Sequence, residues 1–524
     1  MRRPRWATGP VLVILAVVGL VIAVALVVIT SHVGNNKPNG VASDSLAQIP
    51  AGGGVTLAAE VITPKGSGPF PLVVMPGSWG SAAVEYRLPG QQFAAAGYQV
   101  VGYAQRGFTG SGGAVDFAGD KTRADAETVI DWALAHTHAD KNRIGMLGIS
   151  YGGGISLLTA AADSRIKAVV SMSGWSNLAE ALAPHKTPNI ASMHLLLDRY
   201  AKAGSLAPEI HQLVAGLPGP ATATASTLDS LSKSRSADTQ IAALNRNRPA
   251  IMIANAYEDS IIDPAQVVPF FNQLTTPKRI QFAPGDHGGP ETPGLRGKSD
   301  QTFTDAKSWL DHYLLGKANG IDRADPIQLV DGATNAVHSY RTWPKTTTSD
   351  LAAPNRSGAA IGSADTSWTK QLTAGTDSGA SSGPLFTAQP VPYRPPSLTF
   401  SSVKTDHALV WAGAAVSKPT VISGTPTLRL DIGGSSPAST FFAYLYDVDG
   451  SGAATLMTYA PETTTGGEAT VSLRPTSWTL RSGHHLALVI DTVDQRYRSA
   501  TGAGATLRLS STAAAPATLR LPRG

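Results

Sequence analysis

A serine set between glycines has the sequence context of an enzymatic nucleophile. Residues 148–152 read Gly-Ile-Ser-Tyr-Gly, a G-x-S-x-G pattern in which a sharp turn exposes the serine hydroxyl. The pattern alone is weak evidence, because glycine fills 53 of the 524 positions and residues 379–383 repeat it. Only the first copy follows a short apolar segment, residues 143–147, and opens an apolar helical segment. The sequence therefore predicts that Ser150 is a nucleophile at a strand–turn–helix junction.

The base that a serine hydroxyl requires is predicted to be His287. In this kind of site the chain order is serine, acid, histidine, each just beyond the end of a strand. His287 is in a glycine-rich loop directly after the apolar segment 279–283, so its imidazole is expected to reach Ser150. The other histidines weighed for this role lie on or among predicted helices, where packing or surface roles are expected: His185, His194, His211 and His312.

The acid is expected in the loop that follows the apolar strand predicted at residues 251–256. Glu258, Asp259 and Asp263 all lie there. Asp259 is favoured because it is at the apex of the loop, whereas Asp263 precedes Pro264 and suits the N-cap of the next helix. Glu258 should point away from its neighbour. An acid at position 259 would fix the tautomer of the histidine and stabilise its imidazolium form.

The predicted site also needs two hydrogen-bond donors for the oxyanion of the transition state. The N–H of Tyr151, directly after the nucleophile, is one candidate. The second is expected from the loop at residues 76–80, through the N–H of Ser78 or of Trp79. Trp79, Tyr151 and Trp175 all follow predicted strand ends, which makes them candidates for an acyl pocket. Partly buried core aromatics are an equal alternative for these three residues.

The sequence also predicts the strands and helices that would position these residues. Short apolar segments alternate with helical ones at residues 49–175 and 249–325, which predicts an α/β-hydrolase domain with a parallel sheet covered on both faces. Residues 176–248 carry amphipathic helical stretches and no strand signal, so an inserted helical cap is expected. Residues 326–396 are polar and rich in Ser, Thr, Gly and Pro, which favours a linker or wrapping segment. Residues 397–524 have a hydrophobic period of two, typical of an all-β sandwich.

The N-terminus has the composition of a membrane anchor. Residues 9–30 are uncharged and dominated by Val, Leu, Ile and Ala, and 22 residues suffice to cross a bilayer as a helix. The three arginines within the first five residues should stay in the cytoplasm. Residues 1–34 are therefore predicted to be a cytoplasmic tip and an uncleaved transmembrane helix, favoured over a cleaved signal peptide, and residues 35–48 a tether. This predicts a single-pass membrane protein with an extracytoplasmic catalytic part.

Charge and cysteine content limit the kinds of ligand and partner that the sequence predicts. The formal net charge of +5 comes largely from the three N-terminal arginines, and no basic block with interleaved aromatic residues occurs, so nucleic acid is not an expected partner. The chain has no cysteine, which excludes disulfides, cysteine-liganded metal sites and a cysteine nucleophile. The expected partners are an ester, amide or peptide substrate and the membrane, with no metal and no cofactor.

Three further segments carry motifs of one enzyme family. Besides Gly-Ile-Ser-Tyr-Gly-Gly at 148–153, they are Arg-Gly…Ser-Gly at 106–112, Trp-Leu-Asp-His-Tyr-Leu-Leu-Gly at 309–316 and Trp-Pro at 343–344. With the C-terminal β region, they resemble the X-Pro dipeptidyl-peptidase (S15) and cocaine-esterase group of serine hydrolases over about residues 48–524. The resemblance implies a catalytic α/β-hydrolase domain with an inserted helical cap, a C-terminal jelly-roll domain, cleavage of esters or amides, and no cofactor.

Two departures from that family bear on function. Ala104 stands where members commonly carry Asp, and Pro76-Gly-Ser-Trp replaces a loop that often supplies a tyrosine donor, so backbone donation is expected. No acidic cluster for a free substrate amine is apparent. The leading hypothesis is a serine hydrolase that cleaves acyl esters or amides through an acyl-enzyme on Ser150. An X-Pro dipeptidyl-peptidase is the alternative, and a catalytically inactive cell-surface binding protein is the alternative of another class.

Overall fold

A ten-stranded mixed sheet is the scaffold of the first part of the protein. The computed structural model describes residues 38–355, 361–362, 367–385 and 393–523. In chain order the strands of this sheet are β1 Val41–Ala51, β2 Val55–Pro64, β3 Phe70–Pro76, β4 Gln99–Tyr103, β5 Ala139–Ile149, β6 Ile166–Met172, β7 Ala250–Ala256, β8 Lys278–Ala283, β9 Ile327–Val330 and β10 Val337–Tyr340. They lie in the order β1-β2-β4-β3-β5-β6-β7-β8-β9-β10. Strands β3 to β9 are parallel, and β1, β2 and β10 pair antiparallel at the edges.

Helices cover both faces of this sheet. In the described residues they are α1 Arg87–Ala95, α2 Asp120–His136, α3 Tyr151–Ala162, α4 Leu178–Leu182, α5 Ile190–Lys202, α6 Pro208–Gly216, α7 Ala221–Ser232, α8 Ile241–Asn247, α9 Val267–Gln273, α10 Thr292–Leu295 and α11 Gln301–Leu315. Strand β3 shows the two layers: Leu72 and Val74 pack with α2 and α3, and Val73 and Met75 pack with α1 and α11. A strand buried on both faces reads as a continuous apolar run, which is how the sequence shows it.

A helical segment lies between β6 and β7, where the sequence predicts a cap. Helices α4 to α8 and the 3-10 turns Pro184–Lys186 and Ala237–Gln240 occupy it, and no strand occurs there among the described residues. Apolar side chains of these helices, such as Leu182, Leu197 and Leu228, belong to the same buried cluster as the α2–α3 face of the sheet. This helical segment is therefore packed onto the sheet as part of one core.

The C-terminal part of the protein is all β. Its strands are β11 Thr346–Asp350, β12 Trp368–Thr373, β13 Ser397–Thr399, β14 Leu409–Ala412, β15 Thr420–Gly424, β16 Thr427–Gly434, β17 Ser439–Val448, β18 Ala453–Thr464, β19 Gly467–Ser472, β20 Thr476–Leu480, β21 His485–Asp491, β22 Thr506–Ser511 and β23 Thr518–Pro522. One sheet has the order β11-β23-β16-β22-β12, with β19 also on β16, and another has the order β13-β18-β17-β21-β14. Residues of both sheets, such as Leu430 and Leu488, share one buried cluster. The predictions of an α/β-hydrolase fold and a C-terminal β domain are confirmed.

Two segments predicted to be tether and linker contain strands. Residues 41–48 of the predicted tether belong to β1, where Val41 and Ile49 are buried, Ser45 and Gln48 are exposed, and the half-buried Asp44 accepts from Gln91 Nε2 at 2.8 Å. Residues 326–396 contribute β9 and β10 to the large sheet and β11 and β12 to the C-terminal β region. All five are edge strands or next to an edge, and an edge strand needs few apolar residues. The hydrophobic pattern does not reveal β1, β10, β11 and β12 because they are rich in polar residues, whereas β9 (Ile-Gln-Leu-Val) is apolar but only four residues long.

The predicted membrane anchor needs correction. Within the part of the chain that the structure describes, no helix is both long enough and apolar enough to cross a bilayer. The segment on which the prediction rested, residues 9–30, lies outside the described residues. The transmembrane helix, the membrane as a partner and the single-pass extracytoplasmic location are therefore not supported by the structure.

Candidate active site

Ser150 lies at a strained turn between β5 and α3. Its backbone has φ 56° and ψ −118°, a region that residues with a side chain seldom occupy. The two glycines of the motif are there for space: a Cβ at Gly148 would lie 2.3 Å from the carbonyl carbon of Gly152, and one at Gly152 would lie 2.0 Å from the carbonyl oxygen of Pro76. The Ser150 N–H donates to Met172 O at 2.8 Å and fixes the turn to β6. This packing holds the hydroxyl at the carboxyl end of the sheet.

The structure brings the three predicted residues of the triad together. Ser150 Oγ is 2.8 Å from His287 Nε2, and His287 Nδ1 is 2.7 Å from Asp259 Oδ2. The other oxygen of Asp259, Oδ1, accepts from the N–H groups of Ile261 and Ile262 at 3.0 and 2.8 Å. Asp259 is fully buried, and its bonds leave one oxygen for the imidazole. The line of hydrogen bonds from carboxylate to hydroxyl is therefore continuous.

The environment of His287 favours its protonated form. Burial lowers the pKa of His287, but the charge of Asp259 and the hydrogen bond to it act in the opposite direction and leave the pKa raised. Asp286 and Glu291 add negative charge nearby. A histidine so placed is suited to take a proton from a serine hydroxyl and to hold it as an imidazolium.

Asp286, which sequence reasoning missed, ties the histidine loop to the acid loop. Its buried carboxyl accepts from the N–H of His287 at 2.7 Å and from the N–H and hydroxyl of Ser260 at 2.8 and 3.1 Å. Burial, and then the charge of Asp259, raise the pKa of Asp286. The only signal in the sequence was its position next to His287, which does not reveal a bond to a residue 26 positions away.

The alternatives to the predicted triad have other partners. Glu258 points to the N–H of Gly285 at 2.9 Å, and burial raises its pKa to about 8. Asp263 caps the turn Pro264–Gln266 by accepting from the N–H of Ala265 at 2.9 Å, as its place before a proline indicates. His312 lies on α11 with Nδ1 3.0 Å from Lys317 O. None of these side chains contacts Ser150.

The backbone N–H groups of the predicted oxyanion donors differ in whether they already have an acceptor. Tyr151 begins α3, so its N–H has no acceptor within the helix. The N–H of Ser78 already donates to Glu85 Oε2 at 2.8 Å. Trp79 is the next residue, and its N–H has no acceptor among the described residues. Trp79 is the remaining candidate of the two.

An apolar cavity of about 380 Å³, including its opening to solvent, adjoins Ser150. Trp79, Tyr151 and Trp175 all line it, as the acyl-pocket prediction has them, and the ring centres of Trp79 and Tyr151 are 5.1 Å apart. The polar atoms of these aromatics are used elsewhere: the indole N–H groups of Trp79 and Trp175 donate to Leu196 O and Arg235 O. The remaining lining residues are apolar: Phe117, Leu178, Ala181, Leu182, Leu196, Ile261 and Ile262. No charged side chain is among the described residues of this wall.

Two family models match the chain over the two parts that the structure shows. The model of X-Pro dipeptidyl-peptidase (S15 family) matches residues 53–289, and that of the X-Pro dipeptidyl-peptidase C-terminal non-catalytic domain matches residues 319–519. The chain is therefore similar to this family in both of these parts. The predicted resemblance to this group and the predicted enzyme class, a serine hydrolase, are confirmed.

Solved structures share the fold of this protein along nearly its whole length. A CocE/NonD family hydrolase from Staphylococcus aureus has a TM-score of 0.69 at 14% identity, over 92% of this chain and 93% of that one. An aminopeptidase from a Thaumarchaeota archaeon has a TM-score of 0.67 at 16% identity, over 94% and 98%. An α-amino acid ester hydrolase has the same four values. At these identities the likeness shows the fold alone.

Curated relatives match over shorter stretches. Hydrolase LUC6 of a Fusarium species is 37% identical over 141 residues, which are 24% of this chain and 32% of the relative. An uncharacterised protein of Pseudomonas aeruginosa is 30% identical over 124 residues, 22% of this chain and 33% of the relative. The chain thus spans about a third of the length of the curated relatives that it matches.

Arg474, from the loop between β19 and β20, reaches the loop that carries Asp259. Its Nε is 2.8 Å from Asp263 Oδ2, and its Nη1 donates to the main-chain oxygen of Asp259 at 2.8 Å. The guanidinium carbon lies 4.3 Å from the ring centre of Tyr459. Arg474 and Asp263 are both buried, with 3% and 4% of their side chains exposed. The β domain therefore holds the turn that carries the triad acid.

Replacing Arg474 by methionine should lower the free energy of unfolding by about 3 kcal/mol, because Asp263 would be left as an uncompensated buried charge. Thermal unfolding followed by circular dichroism measures this loss. The double variant Arg474→Met/Asp263→Asn should recover most of it, since the second change removes the stranded charge. Equal melting temperatures for the single and double variants would contradict the pairing.

Proposed function

We propose that this protein cleaves acyl esters or amides through an acyl-enzyme on Ser150. The observation that carries the proposal is the continuous hydrogen-bond line from Asp259 through His287 to Ser150. His287 takes the proton of Ser150 Oγ as the hydroxyl attacks the carbonyl carbon, and then gives it to the leaving alcohol or amine. Water then attacks the acyl-enzyme, with His287 taking a proton from the water and giving it to Ser150 Oγ as the acid is released. Asp259 keeps the imidazole in the tautomer whose Nε2 can accept.

The oxyanion of each tetrahedral intermediate is assigned to the N–H groups of Tyr151 and Trp79. Tyr151 supplies the first donor at the N-terminus of α3, where the helix dipole also favours negative charge. Trp79 supplies the second from the loop after β3. In support, a Cβ at Gly152 would lie only 2.0 Å from the carbonyl oxygen of Pro76, so this loop packs closely against the turn at Ser150. Backbone donors held by such packing need no reorganisation when charge develops.

The wall of the cavity favours a neutral, apolar acyl group as substrate. Aromatic and aliphatic side chains surround the space next to Ser150, and no carboxylate is among its described lining residues. A substrate with a free ammonium group would lose its hydration there without gaining a counter-charge, at a cost of several kcal/mol. An ester or amide of an uncharged acid has no such cost.

An X-Pro dipeptidyl-peptidase is the second candidate, supported by the description of the matching family model. Such an enzyme must hold the free N-terminal amine of its peptide substrate. The cavity next to Ser150 offers that amine no acidic group, which is why the first candidate is preferred. The inactive binding protein is disfavoured because the triad is complete and hydrogen-bonded.

A substrate panel tests the choice between ester and peptide. p-Nitrophenyl esters of short to medium fatty acids should be cleaved with kcat/KM at least about 100-fold above that for Xaa-Pro-p-nitroanilides. A preference for the anilides that is lost when their amine is acetylated would favour the peptidase instead.

Leu182 provides a matched pair of variants for the same question. Leu182→Glu should lower kcat/KM for the esters about 100-fold, because it buries a carboxyl in the cavity wall. Leu182→Met, which keeps the wall apolar, should change it less than about threefold. Equal activity of the two variants would show that the acyl group binds elsewhere.

A further inference from the structure

A second cavity, here named the polar shaft, lies behind the candidate active site. It has about 420 Å³ of space, including its opening to solvent. Its walls come from β7, β8, β9, β10, the loop after His287 and the start of α11. At the surface it is bordered by the exposed residues Gln301 and Val337, and at its buried end by Asn255 and Glu291. The shaft is separate from the apolar cavity, with which it shares no lining residue.

Four buried oxygens on the wall of the polar shaft have no hydrogen-bond partner among the described residues. They are Asn255 Oδ1, Gln281 Oε1, Glu291 Oε2 and Asp305 Oδ2. The side chains of Asn255, Gln281 and Glu291 are only 3%, 8% and 0% exposed. Buried polar atoms without a partner are rare, and ordered water commonly bonds such atoms. The four acceptors are therefore the sites in this cavity at which water would bond, between apolar wall residues such as Phe282, Pro290 and Val330.

Glu291 is linked to the histidine loop through one hydroxyl. Its Oε1 accepts from Ser173 Oγ at 3.0 Å, and Ser173 Oγ in turn accepts from the N–H of Gly288 at 3.2 Å. Gly288 directly follows His287. Ser173 is itself held at φ 44°, with its N–H donating to Ala254 O at 2.7 Å. A change at Glu291 is thus transmitted to the His287 backbone over two hydrogen bonds.

The protonation of Glu291 changes in the range where a histidine base works. Burial raises the pKa of Glu291 to about 7, against the lowering effects of hydrogen bonds from its own N–H and from Ser173 and of the charge of His287. The other titratable groups that face it are Asp259 on the acid loop, Asp305 across the shaft on α11, and Tyr86 from the turn before α1. Among these groups, only His287 opposes the negative charge of Glu291.

We propose that Glu291 is a positioning residue for His287. The carboxyl of Glu291 exchanges its proton with solvent through the polar shaft. In the exchange, the O–H bond at Glu291 Oε2 breaks, and a water molecule of the shaft carries the proton to bulk solvent. The ionised carboxylate then stabilises the imidazolium form of His287, and the protonated carboxyl does not. The inference rests on the proposed function, in which His287 is the base.

The proposed arrangement predicts the shape of the acid limb in a plot of kcat/KM against pH. As the pH rises, His287 becomes neutral and kcat/KM increases, but ionisation of Glu291 in the same range makes the imidazole more basic. The acid limb of the profile should therefore be broader than a one-proton titration. In Glu291→Gln, which keeps an acceptor for Ser173, the limb should narrow to one proton and move to lower pH by about 0.5 to 1 unit. A role confined to packing would lower the plateau and leave the limb in place.

Glu60→Gln is the matched control. Glu60 is also buried, with a pKa raised to about 8 by burial and then by the charge of Asp44, but it lies on β2 beside Arg87. Its replacement should leave the acid limb unmoved. An equal shift in both variants, or an unshifted limb in Glu291→Gln, would overturn the positioning role.

Infrared difference spectroscopy tests the shaft without using turnover. The spectrum of the wild type minus that of Glu291→Gln should contain a protonated-carboxyl C=O band that disappears as the pH rises through about 7. The band should shift within minutes of transfer to D₂O, because the shaft admits solvent. A band that stays unshifted, or no band at all, would refute the proton exchange. If the wild type cleaves no ester or amide, the proposed function fails, whereas the infrared result still stands by itself.

Discussion

Ser150→Ala should lower kcat by about 10⁵-fold and abolish covalent labelling by a fluorophosphonate probe. The reason is that Ser150 Oγ lies 2.8 Å from His287 Nε2, and no other hydroxyl of the described residues bonds to this nitrogen. The residual rate would come from the oxyanion donors and the bound geometry, which the substitution leaves in place. Labelling read on a gel, together with steady-state kinetics on the best ester of the panel, measures both effects.

The control for this variant lies in the second copy of the motif. Ser381→Ala should label and turn over like the wild type, because Ser381 follows no strand and its hydroxyl accepts from the N–H of Gly383. Both variants should keep the melting temperature of the wild type within about 2 °C, since each removes one oxygen atom. A wild type that does not label, or Ser150→Ala protein that still does, would exclude the acyl-enzyme and favour the inactive binding protein.

The parts of the site that could be predicted from sequence are those with local signals. The turn at Ser150 could be recognised because an apolar strand, two glycines and a helix start are consecutive in the chain. His287 could be placed because its loop follows an apolar strand directly. Asp263 could be read as an N-cap because Pro264 follows it, and the structure shows that cap. In each case the determining residues are within a few positions of one another.

The parts that could not be predicted depend on contacts between distant residues. Arg474 bonds to the oxygen of Asp259 across 215 positions, and Ser173 bonds to Glu291 across 118. Ser78 was proposed as a donor from its place in the loop, but the carboxyl of Glu85 takes its N–H once the chain has folded. The hydrophobic pattern is also weak in strands that are polar or very short, so the sequence predicts a tether and a linker where the structure has β1 and β9 to β12. Hydrogen bonds between residues that are distant in the chain leave no signal in the local sequence.

The acid loop is where the two parts of the molecule meet at the site. Asp259 is anchored from its own side by the N–H groups of Ile261 and Ile262 and from the β domain by Arg474. Ile261 and Ile262 also line the apolar cavity. Ile261 and Ile262 thus both hold the carboxyl of Asp259 and form part of the cavity wall, while Arg474 holds the same loop from the β domain.

Asp259→Asn should lower kcat by about 10⁴-fold while the protein stays folded. The amide keeps the shape of the carboxyl and an oxygen for the N–H groups of Ile261 and Ile262. Its NH₂ group would then face His287 Nδ1 and donate to it, which forces the imidazole into the tautomer that carries the proton on Nε2. That nitrogen can no longer accept from Ser150. Ester hydrolysis at saturating substrate and the melting temperature measure the two parts of this expectation.

Variants of two neighbouring carboxyls serve as controls for Asp259→Asn. They distinguish the loss of the triad acid from a general loss of negative charge in this loop. Glu258→Gln should change kcat by less than about tenfold, because Glu258 faces the N–H of Gly285 and its replacement keeps an acceptor there. Asp263→Asn should weaken the contact to Arg474 and affect stability more than turnover. If Asp263→Asn were inactive and Asp259→Asn active, the tautomer of His287 would be set from position 263. The 2.7 Å contact between Asp259 Oδ2 and His287 Nδ1 would then not be the one that functions.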